Sequence, residues 1–214
     1  MKKDAYIYAL KYRWLTPLYD PLTRLMGDIR LKQQLLQASS IGPDHRVLDL
    51  GCGTGTFLKM MKAGRPEVHA VGLDGDFQIL RIAKRKAAAH SLRIDFDQAF
   101  ANRLPFGEAT FDRVVSCLVF HHMSTDDKRS TFREIHRVLR PAGKMVIADI
   151  GPPAGGITRF ASRILQRLER TNDNLEGLLP LFAIEAGFVR TAILGSFAAP
   201  FGAIWIFSGE KSVP

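Results

Sequence analysis

A chain of 214 residues with 46% hydrophobic side chains is close to the upper size of one α/β domain and ordinary in composition. It contains no run of about 18 apolar residues, so no membrane-spanning helix is expected, and Lys11 and Arg13 interrupt the N-terminus where a secretory signal needs an apolar core. Thirty basic against 21 acidic residues leave a net charge of +9, which suits an anionic partner or surface, or solubility alone; two cysteines are too few for a zinc cluster and fit a reducing, cytoplasmic setting.

Residues 1–40 are expected to be mostly helical and to form a cap or lid. Tyr6, Tyr8, Leu10, Tyr12, Trp14 and Leu15 alternate with Lys11 and Arg13, and Thr16-Pro17 breaks that segment. Asp20 as N-cap and Pro21 at the first helical position start the next helix, which runs to about Ser39 before Gly42-Pro43. Aromatic and basic residues in one segment suit a membrane interface, a lid over a ligand, or a helix packed on the sheet edge.

Val47, Leu48 and Leu50 read as a short buried strand, followed by glycines at alternate positions, Gly51, Gly53 and Gly55. Lacking a Cβ, they allow a sharp turn that passes close to a ligand. A helix from Thr56 would aim its unpartnered first amides at the loop, where an anionic group is stabilised. Asp49 sits just before the turn, where it would repel a pyrophosphate and suit an ammonium. A second strand, Val68–Leu73, ends at Asp74, placed to bind a ribose diol. A dinucleotide is disfavoured, because Thr56 stands where that pattern needs Gly or Ala and Gly55 comes one residue early. The ligand these residues ask for is a nucleoside carrying an amino acid.

Further on, Asp76 is placed to cap a helix that buries Ile79, Leu80, Ile82 and Ala83 and leaves Arg81, Lys84, Arg85 and Lys86 as a solvated face. Strands are expected near Leu92–Phe96, at Phe111–Cys117 and at Lys144–Asp149. Between the last two, Ser124 and Asp127 form a capping box for a helix that buries Phe132, Ile135, Val138 and Leu139 and stops before Pro141. A helical insertion is expected near 152–180. There Ile157, Phe160, Ala161, Ile164, Leu165 and Leu168 share one face, and Arg159, Arg163 and Arg167 another. Gly187–Leu194 and Ala203–Phe207 read as the last strands. Alternating strands and helices imply a mostly parallel sheet covered on both faces.

The run Asp49-Leu50-Gly51-Cys52-Gly53-Thr54-Gly55, with Asp74, resembles the S-adenosylmethionine site of the class I methyltransferases. The likeness extends through Leu104-Pro105-Phe106, Phe111-Asp112, Leu118-Val119-Phe120-His121-His122-Met123 and Val138-Leu139-Arg140-Pro141-Ala142-Gly143. Within that class the chain is similar to the ubiquinone/menaquinone C-methyltransferase-like group, which includes phospholipid N-methyltransferases, over roughly 19–210. The resemblance implies a Rossmann-like α/β fold with a mostly parallel seven-stranded sheet. It implies S-adenosylmethionine as cofactor, held by Asp49, Gly51, Cys52, Gly53, Gly55, Asp74, Gly75, Ile79, Phe100, Ala101 and Cys117, with Tyr19 near the methionine end. The group often has an acid where Phe100 stands. Phe100 can stack on adenine instead, or a backbone carbonyl can take its amino group.

A sulfonium already makes its methyl carbon electrophilic, so the protein mainly holds acceptor and methyl in line. A phenol or carbon acid also needs a base, for which His121 and His122 are candidates, with Asp149 and Tyr19 behind them. The alternative is one histidine packed inward on backbone and the other exposed. Nucleic-acid targets are disfavoured. An Asp/Asn-Pro-Pro-aromatic loop is replaced by Cys117-Leu118-Val119-Phe120, and Cys117 follows Ser116 rather than a proline. The expected function is methyl transfer to a small or lipid-like acceptor, of quinone-precursor or phospholipid-headgroup type, with an anionic membrane surface as a possible partner. The alternatives are an RNA methyltransferase and a non-catalytic cofactor-binding protein. The sequence does not specify an oligomeric state.

Overall fold

The computed structural model describes residues 28–153, 171–199 and 202–213. Helix α1 (Asp28–Ala38) leads into β1 (Arg46–Leu50), α2 (Thr56–Gly64), β2 (His69–Asp74), α3 (Phe77–Ala89) and β3 (Ile94–Gln98). Then come β4 (Phe111–Cys117), a 3₁₀ turn (Phe120–His122), α4 (Thr125–Val138) and β5 (Leu139–Gly151). The short α5 (Asn172–Leu175), α6 (Leu179–Glu185), β6 (Phe188–Ala199) and β7 (Gly202–Lys211) complete the described residues. The seven strands lie in the order β3-β2-β1-β4-β5-β7-β6, with β1 to β5 parallel and β7 antiparallel to both its neighbours. The α/β class expected from the alternation is therefore the one observed.

Each face of the sheet has its own apolar layer. Leu48, Leu50, Phe120, Phe132, Ile135, Ile147 and Phe207 pack on one side; Leu31, Leu35, Val47, Leu58, Met61, Val146 and Ile206 pack on the other. Central strands buried on both faces read as near-continuous apolar runs, which is why β1 and β5 were visible in the sequence. Leu31 and Leu35 of α1 belong to the second layer, so the last part of the expected N-terminal cap packs on the sheet through those two side chains. The earlier part of that expected cap, with Lys11, Arg13 and Tyr19, lies outside the described residues, as does the arginine-bearing face of the expected insertion.

The helix caps follow their local chemistry. Asp76 accepts the Gln78 amide at 2.8 Å and Ser124 Oγ accepts the Asp127 amide at 3.2 Å. Asp127 does not return the bond to the backbone as a full capping box would. Its carboxylate instead accepts Ser124 Oγ at 2.6 Å and Asn102 Nδ2 at 2.6 Å. Arg137 in the last turn of α4 pairs with Glu134 and donates to the carbonyls of Phe106 and Leu104 at 2.7 and 3.2 Å, while Glu134 accepts the Leu104 amide at 2.7 Å. That latch holds the Leu104-Pro105-Phe106 turn.

Three readings need correction. Strand β3 starts at Ile94, two residues later than expected, because it is an edge strand whose exposed face gives little apolar signal. The last two strands run to 12 and 10 residues, since each continues its register with its neighbour beyond the apolar run. Lys86 is not on the solvated face: it turns back onto the glycine loop, while Arg81, Lys84 and Arg85 are exposed.

Candidate cofactor and acceptor site

The loop after β1 is pinned to the tip of β2. The amides of Gly51 and Cys52 donate to the Leu73 carbonyl at 2.7 and 2.9 Å. The Gly53 amide donates to Asp74 Oδ2 at 3.0 Å, and the other carboxylate oxygen accepts the Asp76 amide at 2.9 Å. Gly51, Gly53 and Gly55 all have positive φ, 71°, 53° and 75°, which L side chains rarely adopt. A Cβ on Gly51 would lie 2.4 Å from Val119 Cγ2, so the loop also abuts the segment after β4. Helix α2 begins at Thr56, and its N-cap residue Gly55 offers no side-chain cap, which leaves the first turn to receive an anionic group. Lys86 donates to Thr54 Oγ1 at 2.9 Å and to Thr56 Oγ1 at 3.0 Å, bracing the loop from α3.

Asp49 is 2% exposed, and its Oδ2 has no hydrogen-bond partner among the described residues. Burial pushes its carboxyl up to about 7, with Lys32 pulling it down and Asp74 adding to the rise. A buried carboxylate lacking a donor matches a cofactor ammonium, and the uncapped α2 matches a cofactor carboxylate. These two features make the residues present fit S-adenosylmethionine.

The other site candidates are placed as follows. Cys52 turns its thiol under β2, where a Cβ on Gly72 would be 2.9 Å from Sγ; its amide donates to the Leu73 carbonyl of β2 and its carbonyl accepts the Gly55 amide within the loop. Burial holds that thiol well above its ordinary range and pushes Cys117, at the end of β4, up to about 12. Neither is a nucleophile near neutral pH. The Gly75 carbonyl accepts Gln98 Nε2 at 3.2 Å, and Ile79 is buried in α3. The Ala99 amide ties its loop to the Asp74 carbonyl at 3.3 Å. In that loop Ala101 is half-buried and the Phe100 ring is exposed, as a stacking surface requires.

Beyond the carboxyl ends of β4 and β5 lies a second cluster. Asp149 is 1% exposed and accepts five donors: Val119 N (2.8 Å) and Phe120 N (2.7 Å) on Oδ2, with His121 Nδ1 (2.9 Å), Ile150 N (2.8 Å) and Asn174 Nδ2 (3.0 Å) on Oδ1. Burial pushes its carboxyl up, but the His121 charge and hydrogen bond and the backbone amides outweigh it, leaving Asp149 below its ordinary value. So occupied, Asp149 orients rather than abstracts a proton. His121 does pack inward, as the alternative reading had it, but against this carboxylate and not on backbone. An ionised carboxylate only accepts, so Nδ1 of His121 is the donor and Nε2 of the neutral ring carries the lone pair. His122 is half-buried, its ring 4.0 Å from that of His121. Among the described residues no cluster of His, Cys, Asp and Glu could hold a metal.

The sequence signalled the glycine loop, Asp74 and the two histidines. It did not signal Lys86, which looked like one of four basic residues on a surface helix, or Asn174, a polar residue in a polar stretch.

Residues 47–143 match a family model described as a methyltransferase domain. The chain is 33% identical over 153 residues to a demethylmenaquinone methyltransferase of Thermus thermophilus, covering 70% of this chain and 69% of that one. It is 36% identical over 146 residues to the demethylmenaquinone methyltransferase of Deinococcus radiodurans, covering 67% and 60% respectively. Among solved structures, the YcgJ protein of Bacillus subtilis superposes with a TM-score of 0.70 at 17% identity, over 86% of this chain and 99% of that one, which shows a shared fold.

Proposed function

The chain belongs to the class I S-adenosylmethionine-dependent methyltransferases of the ubiquinone/menaquinone C-methyltransferase-like group, and from that premise we propose that its acceptor is an aromatic quinone precursor activated by His121. The relatives' names support the acceptor class, since both act on demethylmenaquinone. The observation that carries the reading is the His121 Nδ1 to Asp149 Oδ1 bond of 2.9 Å beyond the ends of β4 and β5. In open α/β sheets ligands bind at those ends.

Bound S-adenosylmethionine supplies the electrophilic methyl carbon. The chain's own residues do the rest. Asp49 neutralises the ammonium, Asp74 accepts from the ribose, and the first turn of α2 receives the carboxylate. Nε2 of His121 takes the proton of a ring hydroxyl, which raises electron density on the neighbouring ring carbon. Asp149 stabilises the imidazolium that results. As the methyl passes from sulfur to the ring carbon, S-adenosylhomocysteine is left behind. The ring carbon gives its proton to solvent as aromaticity is restored, and the imidazolium returns its proton to the ring oxygen, so that one proton is released overall.

An acceptor with an isoprenoid tail would be met at a lipid surface. Among the described residues no helix is long and apolar enough to cross a membrane. Lys11, Arg13, Arg159, Arg163 and Arg167, beside aromatic or apolar neighbours in the sequence, support docking on an anionic leaflet at about 1 kcal/mol each.

The test is to incubate the protein with methyl-labelled cofactor and, in separate reactions, a lipid extract, soluble metabolites and RNA. Label in the quinone fraction, lost by ~100-fold or more in His121→Ala, is the expected result. Label in RNA, or full turnover by His121→Ala, overturns the reading. Wild type should co-sediment with anionic vesicles at low salt, and an Arg159/Arg163/Arg167 triple alanine variant should not.

A further inference from the structure

We propose that Asn174 is a positioning residue for methyl transfer, fixing the Asp149 carboxylate and, through it, how tightly His121 holds a proton. The inference rests on the reading of His121 as base. Three of the five donors to Asp149 are backbone amides, from Val119, Phe120 and Ile150, and these are set by β5 and the turn after β4. The remaining two are side chains: His121 itself and Asn174, which lies 25 positions after Asp149. Both bind the same oxygen, Oδ1.

Asn174 is 1% exposed, and its seat is built rather than incidental. Its neighbour Asp173 accepts Lys128 Nζ and Thr125 Oγ1, each at 2.9 Å, and the Lys128 side chain is wholly buried. The Asp173 carbonyl accepts the Leu178 amide at 2.8 Å, and the Leu175 amide donates to Thr171 at 2.9 Å. Adjacent residues thus send one side chain to α4 and the other to the carboxylate under the histidine. Other titratable groups in the neighbourhood are His122 on the same turn, Cys117 at the end of β4 and the Lys128–Asp173 pair.

Each donor drains charge from the carboxylate. Without the Asn174 amide, Oδ1 is more basic and holds the imidazolium more tightly. His121 then holds its proton to a higher pH than in the wild type.

The experiment is a nitrogen-15 NMR titration of the imidazole rings in full-length protein saturated with S-adenosylhomocysteine, for wild type, Asn174→Ala and the shape-preserving Asn174→Leu. In wild type, neutral His121 carries its proton on Nδ1. In the variants its proton affinity rises about ten-fold and the acid limb of the kcat profile moves with it. Affinity for S-adenosylhomocysteine stays within two-fold or so, because the Asn174 amide donates to Asp149 and not to a residue assigned to the cofactor. An unchanged His121 titration in whichever variant folds overturns the proposal. If the titration moves but His121→Ala keeps full turnover, the base reading fails and the positioning contact stands. If it does not move and His121→Ala is dead, the reverse holds.

Discussion

The carboxylate of Asp74 accepts the amide of Gly53 at 3.0 Å, so the acid at the tip of β2 holds the glycine loop that follows β1. One residue therefore shapes the loop and, in the reading above, binds the ribose. Asp74→Ala removes both contacts. Its affinity for S-adenosylhomocysteine should fall by ~1–3 kcal/mol, roughly 5- to 150-fold. Calorimetry showing unchanged affinity would remove Asp74 from the site.

Lys86 braces the same loop from α3 through Thr54 and Thr56. Lys86→Met keeps the stem and deletes the charge. It should weaken S-adenosylhomocysteine by ~1 kcal/mol, about five-fold, while Arg85→Met on the exposed face changes nothing measurable. Equal effects of the two substitutions would mean that only overall charge matters.

Asp49 links the site to pH. Its folded-state carboxyl is raised from 3.8 to about 7 by burial. The folded chain therefore holds a proton that the unfolded chain releases, and this group's contribution to apo stability falls as pH rises between those values. A bound ammonium favours the ionised form. The thermal shift given by S-adenosylhomocysteine should grow as pH rises from about 5.5 to 8, and Asp49→Asn should flatten that dependence. A ligand-induced shift independent of pH in wild type contradicts the assignment of Asp49 to the ammonium.

Gly51 has φ 71°, and a Cβ there would lie 2.4 Å from Val119 Cγ2. Gly51→Ala should abolish measurable cofactor binding. Adding Val119→Ala relieves the clash but not the backbone strain of ~1–2 kcal/mol, so affinity should return only in part. Full recovery in the double variant would show that space alone demands glycine at 51.

Features that depend on neighbours in the sequence could be read before the structure. Asp76 and Ser124 cap their helices within three residues, and the central strands announce themselves by apolar runs. What escaped reading depends on distant partners. Phe96 of β3 packs beside Gly72 in the second layer, a contact its local pattern does not announce. Lys86 meets residues about 30 positions away, and Asn174 meets one 25 away. Asp149 could be placed at a strand end, but its five donors converge from three parts of the chain.

In the proposed site the buried Asp49 would hold an amino-acid ammonium and the uncapped first turn of α2 its carboxylate, neither of which changes when a methyl group leaves. Contacts of this kind grip reactant and spent product alike. On that reading product inhibition is built into the loop: turnover in a cell would follow the ratio of S-adenosylmethionine to S-adenosylhomocysteine rather than the concentration of either one.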